Sequence, residues 1–218
     1  MGFFRSSKDW QGHFEEGMRH GSAADFSSAE KSFREAVRLA PDEPYPHYEL
    51  GYTLALGGRY EEALDELRRT QELRRAFFAV ETEIWICEQA LSGSLDADVI
   101  QKLRDLQWMV DAGGAQSEDA VAISSNVVQE APECALGHFH FGKAIFERDP
   151  AGAEEALRRC LELEPDDTTA INAKWHLGKL REQAGHKDEA RQIWSAIGTD
   201  HRGHPAAELA QKFTALGR

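Results

Sequence analysis

The chain repeats itself at a spacing of 34 residues. Gly17 is answered by Gly51, Ala29 by Ala63, Phe33 by Leu67, Leu39 by Leu73 and His13 by His47. A fixed period of this length predicts stacked copies of one supersecondary unit, because each unit is too small to bury its own apolar face. Stacked units of this kind usually act by presenting a long surface to something else. The period therefore predicts a mode of action without naming a ligand.

The clearest copy, residues 44–77, reads as helix, turn, helix. Leu50, Gly51 and Leu54 lie in the first helix, and Gly57 and Gly58 end it. Ala63 and Leu67 are four apart and share one face of the second helix. Small residues at 51 and 63 would let the paired helices approach closely, with leucines filling the space between. Residues 10–43 keep Gly17, Ala29, Phe33 and Pro41. Residues 135–167 keep Gly142, Ala153, Leu157 and Pro165, with one residue fewer before Ala153. Residues 171–204 keep Gly178, Ala190, Trp194 and Ile197.

This combination of Gly, Ala, large apolar residue and Pro resembles the tetratricopeptide repeat, whose pattern runs Trp-x2-Leu-Gly-x2-Tyr, then Ala-x3-Phe, then Pro. The resemblance implies an all-α fold, a right-handed superhelical solenoid of antiparallel helix pairs with about twelve helices. The whole of residues 1–218 is expected to form a single solenoid domain. Its middle, residues 78–134, is irregular. Three apolar stripes run through Phe77, Val80, Ile84, Cys87 and Leu91, then Val99, Leu103, Leu106 and Val110, then Ala120, Ile123, Val127 and Val128. Either residues 101–134 form a worn repeat beside an inserted helix at 78–94, or the first two stripes pair and the third is the odd one. An extra helix here is expected to alter the superhelical path. Phe78, Trp85 and Trp108 are expected in the core. Residues 205–218 read as a capping helix with Ala207, Ala210, Phe213 and Leu216 on one face.

A net charge of −13 over 218 residues disfavours nonspecific binding to nucleic acid or anionic membranes. No apolar run reaches membrane-spanning length, so no membrane insertion is expected. The three cysteines, Cys87, Cys134 and Cys160, are widely spaced and odd in number. They read as buried apolar residues in a reducing, cytoplasmic setting. No phosphate loop, GxGxxG, HExxH or GxSxG occurs, and the carboxylates are scattered at surface spacing. An enzyme, a cofactor and a metal site are accordingly not expected. His13, His47 and His138 occupy the slot where the repeat pattern has tryptophan, which suits packing between paired helices.

In the family that the chain resembles, ligands lie on the concave face lined by each repeat's first helix. Carried over, that face offers Phe14 and Met18 in the first copy and Tyr45, Tyr48 and Tyr52 in the second. The third clear copy offers Phe139, His140 and Lys143, and the last Asn172, Trp175, His176 and Lys179. The first group makes an aromatic ridge able to grip a peptide. The second is expected to gather into a cationic patch suited to a carboxylate. The same side chains also suit packing under neighbouring helices, and the sequence leaves that choice open. A Lys and two Asn clamp for C-terminal carboxylates, known in one subfamily, is absent: Phe14, Met18 and Glu49 stand at its positions. The expectation is a noncatalytic adaptor that binds a protein or peptide segment. A secretion or assembly chaperone with one client, and a self-associating homo-oligomeric scaffold, are the alternatives.

Overall fold

The computed structural model describes residues 9–75, 77 and 80–216, with backbone alone for 111, 209 and 213–216. Among the described residues it is entirely helical, with twelve helices. In chain order these are α1 (Asp9–Ser22), α2 (Phe26–Leu39), α3 (Pro44–Leu56), α4 (Tyr60–Leu73), α5 (Val80–Ser92), α6 (Ala97–Asp111), α7 (Glu118–Glu130), α8 (Ala135–Ile145), α9 (Pro150–Glu162), α10 (Asp167–Gln183), α11 (Lys187–Asp200) and α12 (Pro205–Leu216). They gather into two compact units, α1–α5 and α6–α12, divided between Ser92 and Gly93.

Local chemistry sets the helix ends. Asp25, Asp96, Ser117, Asp149 and Asp166 each accept a hydrogen bond from the backbone N–H three residues on, satisfying a donor that the helix itself leaves open. Pro44 and Pro150 stand in the first turn of α3 and α9, where a missing N–H costs nothing. Gly58 and Gly185 take the left-handed conformation just beyond α3 and α10.

In the first unit α1 pairs with α2 and α3 with α4; α5 packs on α4 and touches α3. In the second, α6 pairs with α7, α8 with α9 and α10 with α11, and α12 packs on α11 and α10. Further contacts link α6 with α8, α8 with α10 and α10 with α12, so the first helices of successive pairs line up in one row.

The same contact closes four of these pairs. A Cβ placed on Gly17 would sit 2.5 Å from the Phe33 ring, and one on Gly51 would sit 2.8 Å from Leu67 Cγ and 3.2 Å from the Ala63 carbonyl oxygen. On Gly142 it would lie 2.9 Å from Leu157 Cγ and 3.1 Å from the Ala153 carbonyl, and on Gly178 2.1 Å from the Trp194 indole. Ala29, Ala63, Ala153 and Ala190 are all buried at 1% exposure or less. Glycine on the first helix and alanine on the second thus bring the backbones together, and the large residue one turn after the alanine fills the seam. Burying a side chain such as Leu67 or Phe33 contributes about 1.5–3 kcal/mol.

Two of the slot histidines tie each hairpin to the turn before it. His47 Nε2 donates to the Pro41 carbonyl at 3.0 Å, and His138 Nε2 donates to the Pro132 carbonyl at 2.9 Å. His47 also meets a Glu66 carboxylate oxygen through Nδ1 at 2.6 Å. Cys87, Cys134 and Cys160 are free thiols, all buried. Burial pushes the Cys160 thiol up to about 12, with Asp166 and Cys134 adding to the effect.

Trp108 departs from the core position expected of it. It is 69% exposed, because it lies on the side of α6 opposite Val99, Leu103 and Leu106, all buried. Trp85 is half-buried, and Phe78 lies outside the described residues. Ala207 and Ala210 of α12 pack against Ile171 and Ile197; the side chains of Phe213 and Leu216 fall outside the described residues.

The glycine seam makes a paired prediction. Gly51→Ala gains helix propensity but drives a methyl into Leu67 and the Ala63 carbonyl, so stability to urea is expected to fall by about 1–2 kcal/mol. Gly12, in α1, has nothing within 4 Å of a built Cβ. Gly12→Ala is therefore expected to raise stability by a few tenths to about 1 kcal/mol. Circular dichroism against urea measures both, and equal effects would contradict the seam.

Candidate peptide-binding face

α3 is buried over most of its circumference. Leu50, Leu54 and Ala55 are at 2% exposure or less, and His47, Gly51 and Thr53 are also buried. The arc left to solvent carries Tyr45, Tyr48, Glu49 and Tyr52, whose spacing of three and four puts them on one stripe. Phe14 and Met18 hold the matching places on α1, 34 residues earlier.

These side chains form a connected aromatic row. Trp10 meets Phe14 at 6.1 Å between ring centroids, and Phe14 meets both Phe33 at 5.8 Å and Tyr45 at 6.4 Å. Tyr45 stands edge-on to Phe77 at 4.7 Å, Phe77 meets Tyr48 at 5.5 Å, and Tyr48 stacks on Tyr52 at 6.4 Å. Phe77 is buried, while Tyr45 is 39% and Met18 41% exposed. Phe14 and Tyr48 are half-buried and pack on the core beneath. The row is thus anchored from below and open above.

Glu49 interrupts the apolar character of this stripe. It is half-buried, and burial alone pushes its carboxyl up to about 7, with no positive charge among the described residues to offset it. Glu15 and Glu83 hold the same register on α1 and α5.

In the second unit the matching stripes carry Phe139, His140 and Lys143 on α8 and Trp175, His176 and Lys179 on α10. The structure places these six differently. His140 is 2% and Phe139 7% exposed. Burial, helped by Lys143, pushes the His140 imidazole down to about 3, so it is neutral. Burial lowers His176 as well; its Nδ1 donates to the Asn172 carbonyl at 2.8 Å, and its ring lies between Phe139 at 6.1 Å and Phe146 at 5.6 Å. The positive charge expected of the histidines is therefore lost to desolvation, and only the lysines supply it. Lys143 Nζ lies 5.9 Å from the Phe139 ring and Lys179 Nζ 5.9 Å from the Trp175 ring. Trp175 packs on Trp194 at 5.4 Å, and the Trp194 indole N–H donates to the Trp175 carbonyl at 3.1 Å. Asn172 is exposed.

Sequence reasoning missed Trp10, Phe77 and Glu49 as members of the first face. Glu49 was within reach of it, since 45, 48, 49 and 52 follow the helical repeat. Phe77 heads the first apolar stripe of the middle and so reads as core; it sits in the link before α5, where its ring also meets Tyr45 and Tyr48. Among the described residues, no three His, Cys, Asp or Glu side chains gather closely enough to hold a metal ion, and no helix is long and apolar enough to cross a membrane.

Residues 14–76, from α1 to just past α4, match the tetratricopeptide repeat family. Over that segment the chain carries the tetratricopeptide repeat. No curated protein matches it. Among solved structures, the flexible tandem repeat domain of a bacterial cellulose synthase component shares the fold at a TM-score of 0.61 and 14% identity, over 93% of this chain and 96% of that one. MamA (residue 41 to the end) from Desulfovibrio magneticus RS-1 is 18% identical at a TM-score of 0.40, over 92% and 98% of the two chains. YrrB, described as a TPR protein with an unusual peptide-binding site, is 12% identical at 0.42, over 95% and 94%.

The Glu49 carboxyl has a measurable signature. Its folded value of about 7 exceeds the ordinary glutamate value near 4.3, so the folded state binds more protons between those two values. Its contribution to stability therefore declines as pH rises through that window, and the loss is complete above about 7. Glu49→Gln is expected to stabilise the protein by roughly 1–3 kcal/mol at pH 8.5 and by much less at pH 4.5. Urea unfolding at the two pH values checks this; an equal effect at both would contradict it.

Proposed function

We propose that the chain is a noncatalytic adaptor that holds a protein or peptide segment on the first-helix face of α1 and α3. The observation that carries this reading is the aromatic row from Trp10 to Tyr52. Large rings braced on a core lose little side-chain entropy on binding and bury wide apolar area, which is the character of interface hot spots. The acidic surface elsewhere supports a protein partner over nucleic acid, since a charge of −13 repels phosphates. The free buried thiols support a cytoplasmic location. In the second unit, Lys143 and Lys179 over their aromatic rings supply a separate place for acidic groups.

Tyr45 gives the cleanest test, because it is open to solvent yet belongs to the row. Partners are first captured from the native host and identified by mass spectrometry. Tyr45→Ala with Phe14→Ala is then expected to weaken the captured partner at least tenfold by calorimetry, with helicity retained. Unchanged affinity with the helical signal intact would contradict the proposal.

A further inference from the structure

Resting on the reading of the α1 and α3 face as a peptide-binding surface, we infer that the bound segment presents an arginine or lysine whose cationic group seats on Glu49, between the rings of Tyr45, Tyr48 and Tyr52. The geometry comes from helical register: position 49 lies four after Tyr45, one after Tyr48 and three before Tyr52, so one carboxylate is set in a wall of tyrosines.

Three observations point to a cation. First, Glu49 is half-buried yet lacks the cationic partner that several carboxylates of its unit have. Glu30 is bound by Arg34 and Arg59, Glu62 by the same two arginines, Glu66 by His47 and Glu88 by Arg68. Among the described residues, no hydrogen bond or ion pair reaches Glu49, and burial is the one influence on its proton. A half-buried carboxylate in that position is costly when ionised, and an arriving cation removes the cost. Second, the row already accepts a cation: the Arg74 guanidinium lies 5.5 Å over the Phe77 ring, the ring that joins Tyr45 to Tyr48. The negative faces of such rings attract cations. Third, the net charge of −13 draws positive segments in from solution.

A side chain fits better than a free ion. The methylenes of arginine and lysine lie along apolar rings while the head group reaches the carboxylate, and no cluster of metal-ligating groups exists among the described residues. A guanidinium also forms two parallel hydrogen bonds to one carboxylate.

The test uses the full chain and a random twelve-residue peptide library displayed on phage, selected in parallel against wild type, Glu49→Gln and Tyr45→Ala. Wild type is expected to enrich peptides with Arg or Lys at one fixed position. The leading peptide, synthesised, should bind at least tenfold more weakly to Glu49→Gln. It should lose as much with wild type when its arginine is replaced by citrulline or its lysine by norleucine. Those peptide changes leave the protein untouched, so misfolding of a variant does not cloud the result. Enriched peptides that need Tyr45 but are indifferent to Glu49 and carry no fixed basic residue would overturn the cation seat while leaving the peptide-binding face standing. No enrichment, or enrichment indifferent to both substitutions, would overturn both.

Discussion

Close approach of paired helices is the constraint on which the rest of the structure depends. Gly51 can lie against Leu67 and the Ala63 carbonyl only because it has no Cβ, and Gly17, Gly142 and Gly178 repeat the arrangement against Phe33, Leu157 and Trp194. With the backbones this close, the large residue is wedged into the seam and becomes fully buried, as Leu67 and Leu157 are at 0% exposure. The partner's size varies from leucine to tryptophan, yet the seam survives. What is specified is the missing side chain on one helix rather than the particular bulk on the other. Dense packing of this kind is sensitive to a single methyl group.

Closing the seam also decides which residues face outward. On α3 the contacts to α4 and to neighbouring helices consume every side except the stripe of Tyr45, Tyr48, Glu49 and Tyr52. The stripe is therefore held rigidly by what lies behind it. The two units use the same register in opposite ways. Position 49 and its equivalents at 15 and 83 are glutamates in the first unit, while the equivalents at 140 and 176 are histidines in the second. Burial drives both kinds toward the neutral form, raising Glu49 and lowering His140 and His176. The carboxyl still gains from meeting a cation, whereas His140 is sealed in the core. The same slot is thus partly open to solvent at Glu49 and closed by packing at His140.

Much of this was legible in the chain because the repeat imposes itself on residue identity. The Gly, Ala and large-residue offsets predict the helix pairs, and the one-residue deficit before Ala153 falls in the turn between α8 and α9. Apolar stripes in the middle mark three helices correctly, but periodicity records that a face is buried and not what it is buried against. That α6 pairs with α7 while α5 lies on α4 and α3 is visible only in the contacts. The site was legible in part. Tyr45, Tyr48 and Tyr52 stand out by spacing, but Phe77, which links two of them, reads only as the start of the next apolar stripe, and its contact with the tyrosines is visible only in the structure. The burial of His140 was not readable, because its neighbours come from other helices. Trp108 shows the converse error: a tryptophan beside an apolar stripe reads as core by type, and only its angular position on α6 places it in solvent.

The most direct measurement is a double-mutant cycle between Gly51→Ala and Leu67→Ala, followed by urea unfolding. If the methyl at 51 is destabilising because it meets Leu67, then truncating Leu67 makes room for it. Gly51→Ala should then become neutral or stabilising in the Leu67→Ala background, with a coupling of about 1 kcal/mol or more. Additive effects, with Gly51→Ala equally costly in both backgrounds, would mean that the helices do not meet there as described.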